Sequence, residues 1–369
     1  MSEEIRFDEI GPSKILEIYS PTVPFRGVVV VDNTALGPAI GGIRVSERVT
    51  KMEVARLART MTLKSAVAGL PHGGGKAGIM VDPEHPQLER IFRSFARLIR
   101  EVEEYIPAPD MGCHEDAMAW IEDEIGRVCG LPEEIGGLPL DKLGATGYGL
   151  AACAEIACEH CNLDLRGARV AIHGFGSVGQ AAARFLADRG AILVAAADSK
   201  GTVCTRDGMD VDELLAAKKE SGSVTGLRRG QPLRPEDLFT VDCDILIPAA
   251  TPDVINESNA RDIKARLILE GANIPATRPA EKVIAERGIL VVPDFVANAG
   301  GLIMAAMEYA RKTEKEAFEA ISTKLKANTR RILETLDRDN ILPRDAAEKV
   351  ARERVLAAMR YREYSYPSP

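Results

Sequence analysis

Residues 168–199 read ARVAIHGFGSVGQAAARFLADRGAILVAAADS, and this segment decides the fold. A short apolar run leads into Gly174, Gly176 and Gly179 in GxGxxG register. An Ala-rich stretch of helical composition follows, then a second apolar run that ends in Asp198, 19 residues after Gly179. Strand, glycine turn, helix, strand and acid at that spacing make up a dinucleotide-binding unit. The glycines permit the tight turn and a close backbone approach to a pyrophosphate, and the helix N-terminus offers unpaired N–H groups. Phe175, Ser177 and Val178 complete the loop. Asp198 is expected to accept the ribose hydroxyls and to oppose a 2′-phosphate, which favours NAD. Lys200, two residues on, softens that preference, so NADP is not excluded.

Working outward, CDILIPAA (243–250), ARLILEGAN (265–273) and GILVVPD (288–294) are further short apolar runs separated by helical stretches. Such alternation predicts a parallel sheet covered on both faces. On the N-terminal side, FRGVVVVDN (25–33) reads as a buried strand. TKMEVARLARTMTLKSAVAG (50–69) and QLERIFRSFARLIREVEEY (87–105) carry apolar residues at helical spacing. Beyond about residue 312 the chain turns to charged amphipathic helices. The predicted fold is α/β with two domains. Residues 141–319 form a Rossmann-type, doubly wound dinucleotide-binding domain, and residues 1–140 with about 320–369 form an α/β substrate-binding and oligomerisation domain. The cleft expected between them would hold the site.

Composition narrows the function classes. The chain has 369 residues, 46% apolar and 28% charged, with a net charge of −8 and no basic block, which speaks against nucleic acid or a membrane surface as partner. No uncharged apolar run approaches the roughly 18 residues of a membrane span. The N-terminus, MSEEIRFDEI, is too acidic for a signal peptide. Seven scattered cysteines fit a reducing cytoplasm better than a disulfide framework. Cys153, Cys158, His160 and Cys161 cluster on one Ala-rich helix with no second ligand pair elsewhere, so they read as small packed side chains and no metal site is expected.

GLPHGGGKAGI (69–79) poses the chemical question. A phosphate-binding P-loop would need Gly at position 70 and Ser or Thr at 77, where the chain has Leu70 and Ala77. Lys76 therefore has another use. If the glycines form a turn that folds back on the preceding helix, Lys76 meets Lys64. Mutual repulsion and burial would then lower a lysine pKa toward that of a usable general base. Asp110, in the proline-stiffened IPAPDMG loop, could relay a proton. His72 reads as a turn or packing residue.

The ordered set GPAIGGIRV, Lys64, LPHGGGKAGI, IPAPDMG, GATGYG, HGFGSVG, ADSKG, PAA, EGAN and NAGG resembles the glutamate/leucine/phenylalanine/valine dehydrogenase family over nearly the whole chain. The resemblance implies a homo-oligomer that carries out NAD(P)-dependent, reversible oxidative deamination of an L-amino acid to a 2-oxo acid and ammonia. It implies that Lys64 binds the substrate carboxylate, Lys76 activates water, and Asp110 shuttles protons at the nitrogen. Asn298 would hold the substrate carboxylate or amine. Thr146, Asn273 and Ala250 of PAA would line the nicotinamide end. The family commonly has Thr where this chain has Cys113, which puts that residue's contact to the Asp loop in doubt.

Members that act on glutamate resemble one another in a Lys just before GGxR and a Ser seven residues after the Asn of NAGG. Here those positions hold Ile40, beside Gly41, and Ala305. Neither can donate to a side-chain carboxylate. Enclosing that anion without a partner costs several kcal/mol, whereas burying an apolar side chain gains roughly 1.5–3 kcal/mol. With Ala108 and Leu302 expected nearby, the pocket favours leucine, valine, isoleucine or phenylalanine. Glutamate itself, and a catalytically silent NAD- or amino-acid-binding homologue, are the competing readings.

Overall fold

The structure is a computed structural model that describes residues 5–362. The chain divides into two compact units: residues 1–139, 302–317 and 348–369, and residues 140–301 and 318–347. This differs from the expected division at the C-terminal end. Residues 302–317 group with the N-terminal unit, and 318–347 with the dinucleotide-type unit. The last two helices carry charged amphipathic sequence throughout, so composition gave no sign that the grouping changes within each of them.

The first unit contains β1 (Lys14–Ser20), β2 (Phe25–Asn33), β3 (Ala39–Val45), α1 (Lys51–Val67), β4 (Gly73–Ile79), α2 (Leu88–Leu98), β5 (Tyr105–Pro109) and α3 (Glu115–Ile125). The strands form one mixed sheet in the order β1-β2-β4-β3-β5. β4 runs antiparallel to β2 and parallel to β3, and β3 parallel to β5. The triple glycine is therefore strand, not turn. Each glycine admits a neighbour that a Cβ would block. At Gly73 it would stand 1.8 Å from the Asn33 carbonyl oxygen, at Gly74 2.0 Å from the Thr62 amide of α1, and at Gly75 2.9 Å from the Tyr105 ring. Glycine is a poor strand former by itself, and here tertiary packing overrides propensity. α1 starts at Thr50, whose hydroxyl accepts the Glu53 amide (3.2 Å), and its buried Val54, Ala58, Thr62 and Ala66 lie at helical spacing. α2 stops at Leu98, seven residues before the end of its periodic sequence, because Ile99 and Val102 turn into the core beneath β5.

The second unit contains α4 (Leu140–Leu143), α5 (Ala145–His160), β6 (Arg169–His173), α6 (Ser177–Ala187), β7 (Ile192–Asp198), β8 (Gly201–Cys204), α7 (Val211–Ser221), β9 (Gln231–Leu233), β10 (Ile245–Pro248), β11 (Leu267–Leu269), α8 (Arg278–Glu286), β12 (Leu290–Val292) and α9 (Asp294–Ala297). Then come α10 (Gly300–Tyr309), α11 (Glu314–Asp339) and α12 (Pro343–Arg362). The sheet order is β12-β11-β10-β6-β7-β8-β9. The five strands from β12 to β7 are parallel, as the apolar runs predict, while β8 and β9 add an antiparallel edge too short and polar to read from sequence. Strand order reverses between β6 and β10, and in such sheets ligands bind outside the carboxyl ends of the strands at that point. No described helix is long and apolar enough to cross a membrane.

Candidate active site

In the first unit, alternation along β4 puts Gly74, Lys76 and Gly78 on the face covered by α1. A Cβ at Gly74 would strike Thr62, and one at Gly78 would stand 2.8 Å from Val54. Lys76 emerges between them and is only 6% exposed. Its Nζ donates to Asp110 Oδ2 at 2.8 Å. On the adjoining strand β3, Ile40, Gly42 and Arg44 share that face. A Cβ on Gly42 would lie 2.7 Å from Asp110 Cβ and 3.2 Å from Lys76 Nζ, so glycine there leaves room for the ion pair.

Arg44 completes the group. Its Nε donates to Asp110 Oδ2 (3.0 Å), Nη2 to Oδ1 (3.4 Å) and Nη1 to Glu53 (2.6 Å). Burial lowers the pKa of Lys76, Asp110 pulls it back up, and the nearby Arg44 cation lowers it again. For Asp110, burial works upward, but Lys76 and Arg44 outweigh it and hold the carboxylate ionised. Arg44 is a cation lowering the Lys76 pKa that the sequence reading did not name. Lys64 stands half-buried in the last turn of α1.

Cys113 is buried, and burial pushes its thiol up to about 12, so it stays neutral. Its amide donates to the Asp110 carbonyl (2.9 Å), closing the loop through the backbone whatever the side chain. His72 packs as expected, with Nδ1 3.2 Å from the Pro38 carbonyl oxygen and its ring edge-on to Tyr309.

Ile40, on β3 in register with Gly74 and Ile106, is 1% exposed, and Ala108, Leu302 and Ala305 are also buried in this unit. Gly41 lies on the opposite face. A Cβ there would meet the Gly75 carbonyl oxygen at 1.6 Å, and its own carbonyl accepts the Tyr105 hydroxyl (2.7 Å). Its need for glycine thus comes from the sheet.

In the second unit the predicted cofactor residues gather at the carboxyl ends of the parallel strands. Gly174 has φ +100°, and a Cβ would stand 2.6 Å from the Ala250 amide after β10. Gly179 lets α6 pack on the turn, since a Cβ would be 2.0 Å from the Gly174 carbonyl oxygen. Gly176 has open space where its Cβ would be, at the N-terminus of α6 beside exposed Ser177, while Val178 is half-buried. These are the three duties a dinucleotide loop asks of its glycines. Phe175 is buried and contributes its carbonyl to Gln180 (3.0 Å). Thr146, in the first turn of α5, has its hydroxyl 3.1 Å from where a Cβ on Gly301 would stand. Asn298 donates to Asn273 Oδ1 at 2.9 Å, while its own Oδ1 is buried without a partner. Asn273 and Ala250 are exposed.

Asp198 departs from expectation. Its Oδ2 accepts Lys218 Nζ (2.8 Å) and the Val224 amide (2.8 Å), and its Oδ1 accepts the Lys200 amide (3.0 Å) and the Ser223 hydroxyl (3.0 Å). The carboxylate that was to take the ribose is already occupied.

A buried cluster that sequence reasoning missed anchors the EGAN loop. Arg344 donates to Asp294 (2.7 Å), to Glu270 (2.8 Å) and to Glu281. Asp294 Oδ2 accepts the amide of Ile274 (2.8 Å), a β-branched residue at φ +49° that neighbours Asn273. Burial pushes Glu270 up to about 8, and the Asp294 and Glu281 charges add to it against Arg344. Only the separation along the chain hid this cluster. Among the described residues no cluster of three or more His, Cys, Asp or Glu is placed to hold a metal, and the seven cysteines are free.

A dinucleotide loop in one unit and a buried lysine–aspartate pair in the other define a nicotinamide-dependent oxidoreductase. Residues 136–363 match the Glutamate/Leucine/Phenylalanine/Valine dehydrogenase family, and residues 20–127 match the Glu/Leu/Phe/Val dehydrogenase dimerisation domain. The chain belongs to this family and is an amino-acid dehydrogenase acting on CH–NH2 donors with NAD or NADP.

It is 40% identical over 356 residues to a glutamate dehydrogenase of Aeropyrum pernix, covering 89% of this chain and 85% of that one. It is 42% identical over 293 residues to an NADP-specific glutamate dehydrogenase of Saccharolobus shibatae (75% and 69% covered). It is 36% identical over 362 residues to an NAD-specific glutamate dehydrogenase of Staphylococcus aureus (92% and 87%). Among solved structures, the hetero-hexameric glutamate dehydrogenase from Thermus thermophilus in its Leu-bound form superposes with a TM-score of 0.82 at 32% identity, covering 97% and 91%. L-tryptophan dehydrogenase from Nostoc punctiforme gives 0.75 at 26%, covering 95% and 98%.

Proposed function

We propose that the enzyme carries out reversible oxidative deamination of an L-amino acid with an apolar side chain, yielding the 2-oxo acid and ammonia. The observation that carries the substrate class is Ile40, buried on the same sheet face as Lys76 and unable to donate a hydrogen bond. A γ-carboxylate there would lose its hydration without a donor in return. Ala305 and Ala108, with Leu302, are the small and apolar side chains that would accommodate a branched or aromatic group.

Gly176, Ser177 and the open α6 N-terminus fit a pyrophosphate, and Thr146, Ala250 and Asn273 would hold the nicotinamide end. A nicotinamide bound there would supply the acceptor for a hydride from the substrate Cα. The chain's own residues do the rest. Lys64 binds the α-carboxylate. Asp110, kept ionised by Arg44 and Lys76, exchanges protons with the substrate nitrogen. Lys76, its pKa lowered by burial, takes a proton from the water that attacks the substrate imine. Asn298 orients the substrate carboxylate or amine and steadies Asn273. Exclusion of bulk water strengthens each of these interactions.

The dimerisation-domain match over residues 20–127 supports a homo-oligomer built through the first unit, and the hetero-hexameric Thermus structure is a similar chain that assembles into an oligomer. Free cysteines support a reducing, cytoplasmic setting.

Glutamate is the second reading, favoured by relatives at 36–42% identity that are named glutamate dehydrogenases. Ile40→Lys combined with Ala305→Ser tests side-chain selection and should raise kcat/KM for glutamate relative to leucine at least tenfold. An unchanged ratio would place side-chain selection elsewhere.

A further inference from the structure

The end of β7 carries an arrangement that bears on which dinucleotide the enzyme accepts, and it rests on the dehydrogenase reading above. An acid at this position selects NAD in two ways. Its free lone pairs take the ribose hydroxyls, and its uncompensated charge repels a 2′-phosphate. Asp198 has neither free. A carboxylate offers about four acceptor sites. Four donors fill them: Lys218 Nζ and the Val224 amide on one oxygen, the Lys200 amide and the Ser223 hydroxyl on the other. The Lys218 ammonium sits 2.8 Å from Oδ2 and offsets the charge. A second ammonium, of exposed Lys200, lies 3.1 Å from where a Cβ on Gly222 would stand, next to Ser223. With Lys218 offsetting Asp198, Lys200 adds an exposed ammonium next in the chain to exposed Ser199.

We infer that Lys218 disables Asp198 as an NAD-selecting acid, and that Lys200 with Ser199 receives the 2′-phosphate, so that this enzyme takes NADP as readily as NAD. Lys218 acts as a specificity-determining residue by holding Asp198, and Lys200 by contacting the phosphate. A phosphate there gains a charge-assisted partner in Lys200 and meets a carboxylate already neutralised. The ribose of NAD meets acceptors that are already taken.

The experiment is equilibrium titration of the full-length enzyme with NADH and with NADPH, followed by reduced-nicotinamide fluorescence at fixed ionic strength and without an amino acid. The two dissociation constants should agree within tenfold. NADPH weaker than NADH by more than tenfold would overturn the inference. Lys200→Ala should weaken NADPH at least tenfold more than NADH, and an unchanged ratio would remove Lys200 from the phosphate site. Lys218→Met should shift the ratio at least tenfold toward NADH by releasing Asp198, with no shift counting against the neutralising role. Lys200 is exposed, so its variant reads out even if the Lys218 variant unsettles the loop. Failure of both dinucleotides to bind would overturn the dehydrogenase reading itself, an outcome separate from selective binding of NADH.

Discussion

Replacing Lys76 by alanine removes the proposed base while leaving its surroundings charge-paired. The structure supplies the expected size of both effects. A positioned general base contributes about 10²–10⁴-fold, so kcat should fall by at least about 100-fold. Stability should move little. Breaking a buried ion pair costs about 3–5 kcal/mol when the surviving charge is stranded. Here Asp110 keeps Arg44, with donors at 3.0 and 3.4 Å, so it is not stranded. Losing a cation that is only 6% exposed also removes its desolvation cost and its repulsion from Arg44. The melting temperature should therefore stay within a few degrees of wild type, and NADH should still bind, because the dinucleotide loop belongs to the other unit. The assay is initial-rate formation of NADH from a saturating apolar amino acid, run beside thermal unfolding and NADH titration on the same preparation. Turnover within tenfold of wild type would remove Lys76 from the mechanism. A large fall in melting temperature would show that the lysine is there for the sheet.

Two further perturbations probe the charges around the site. Arg44→Met takes away a cation that holds the Lys76 pKa down, so the free amine forms at higher pH and the acid limb of the kcat/KM profile should move upward, with an unmoved limb as the contrary result. Glu270 carries a folded-state pKa raised from 4.5 to about 8, so the folded protein holds a proton that the unfolded chain releases. That stability is fully present below about pH 4.5 and is lost as pH rises to about 8, with a slope of up to about 1.4 kcal/mol per unit for one proton. Glu270→Gln should remove that slope, read as a wild-type-minus-variant difference in unfolding free energy across this range, and parallel curves would refute the assignment.

The dinucleotide half was legible because its signal is local. The GxGxxG register, the 19-residue spacing to Asp198 and the apolar runs of five parallel strands all lie in continuous sequence. Lys76 was legible by a different route, as a lysine with nothing beside it to pack, yet its local structure was misread. Glycine's low strand propensity argued for a turn, while Thr62, Tyr105 and Asn33 required the glycines in a strand. Partners far apart in the chain were not legible. Arg44 sat in the quoted GGIRV segment with no hint that it reached Asp110, 66 residues away. Lys218 occupies Asp198 from a helix whose polar sequence reads as a solvated face. Glu270 and Arg344 are 74 residues apart.

Selection of an apolar side chain by buried Ile40 and Ala305 is what we propose sets this amino-acid dehydrogenase's substrate. It is tested most directly by kcat/KM for NAD reduction with glutamate, leucine, valine, isoleucine and phenylalanine, measured on the wild-type enzyme under one set of conditions. An apolar amino acid should exceed glutamate by at least tenfold, the scale set by about one to a few kcal/mol of unmatched carboxylate desolvation. Glutamate as the best of the five would contradict it.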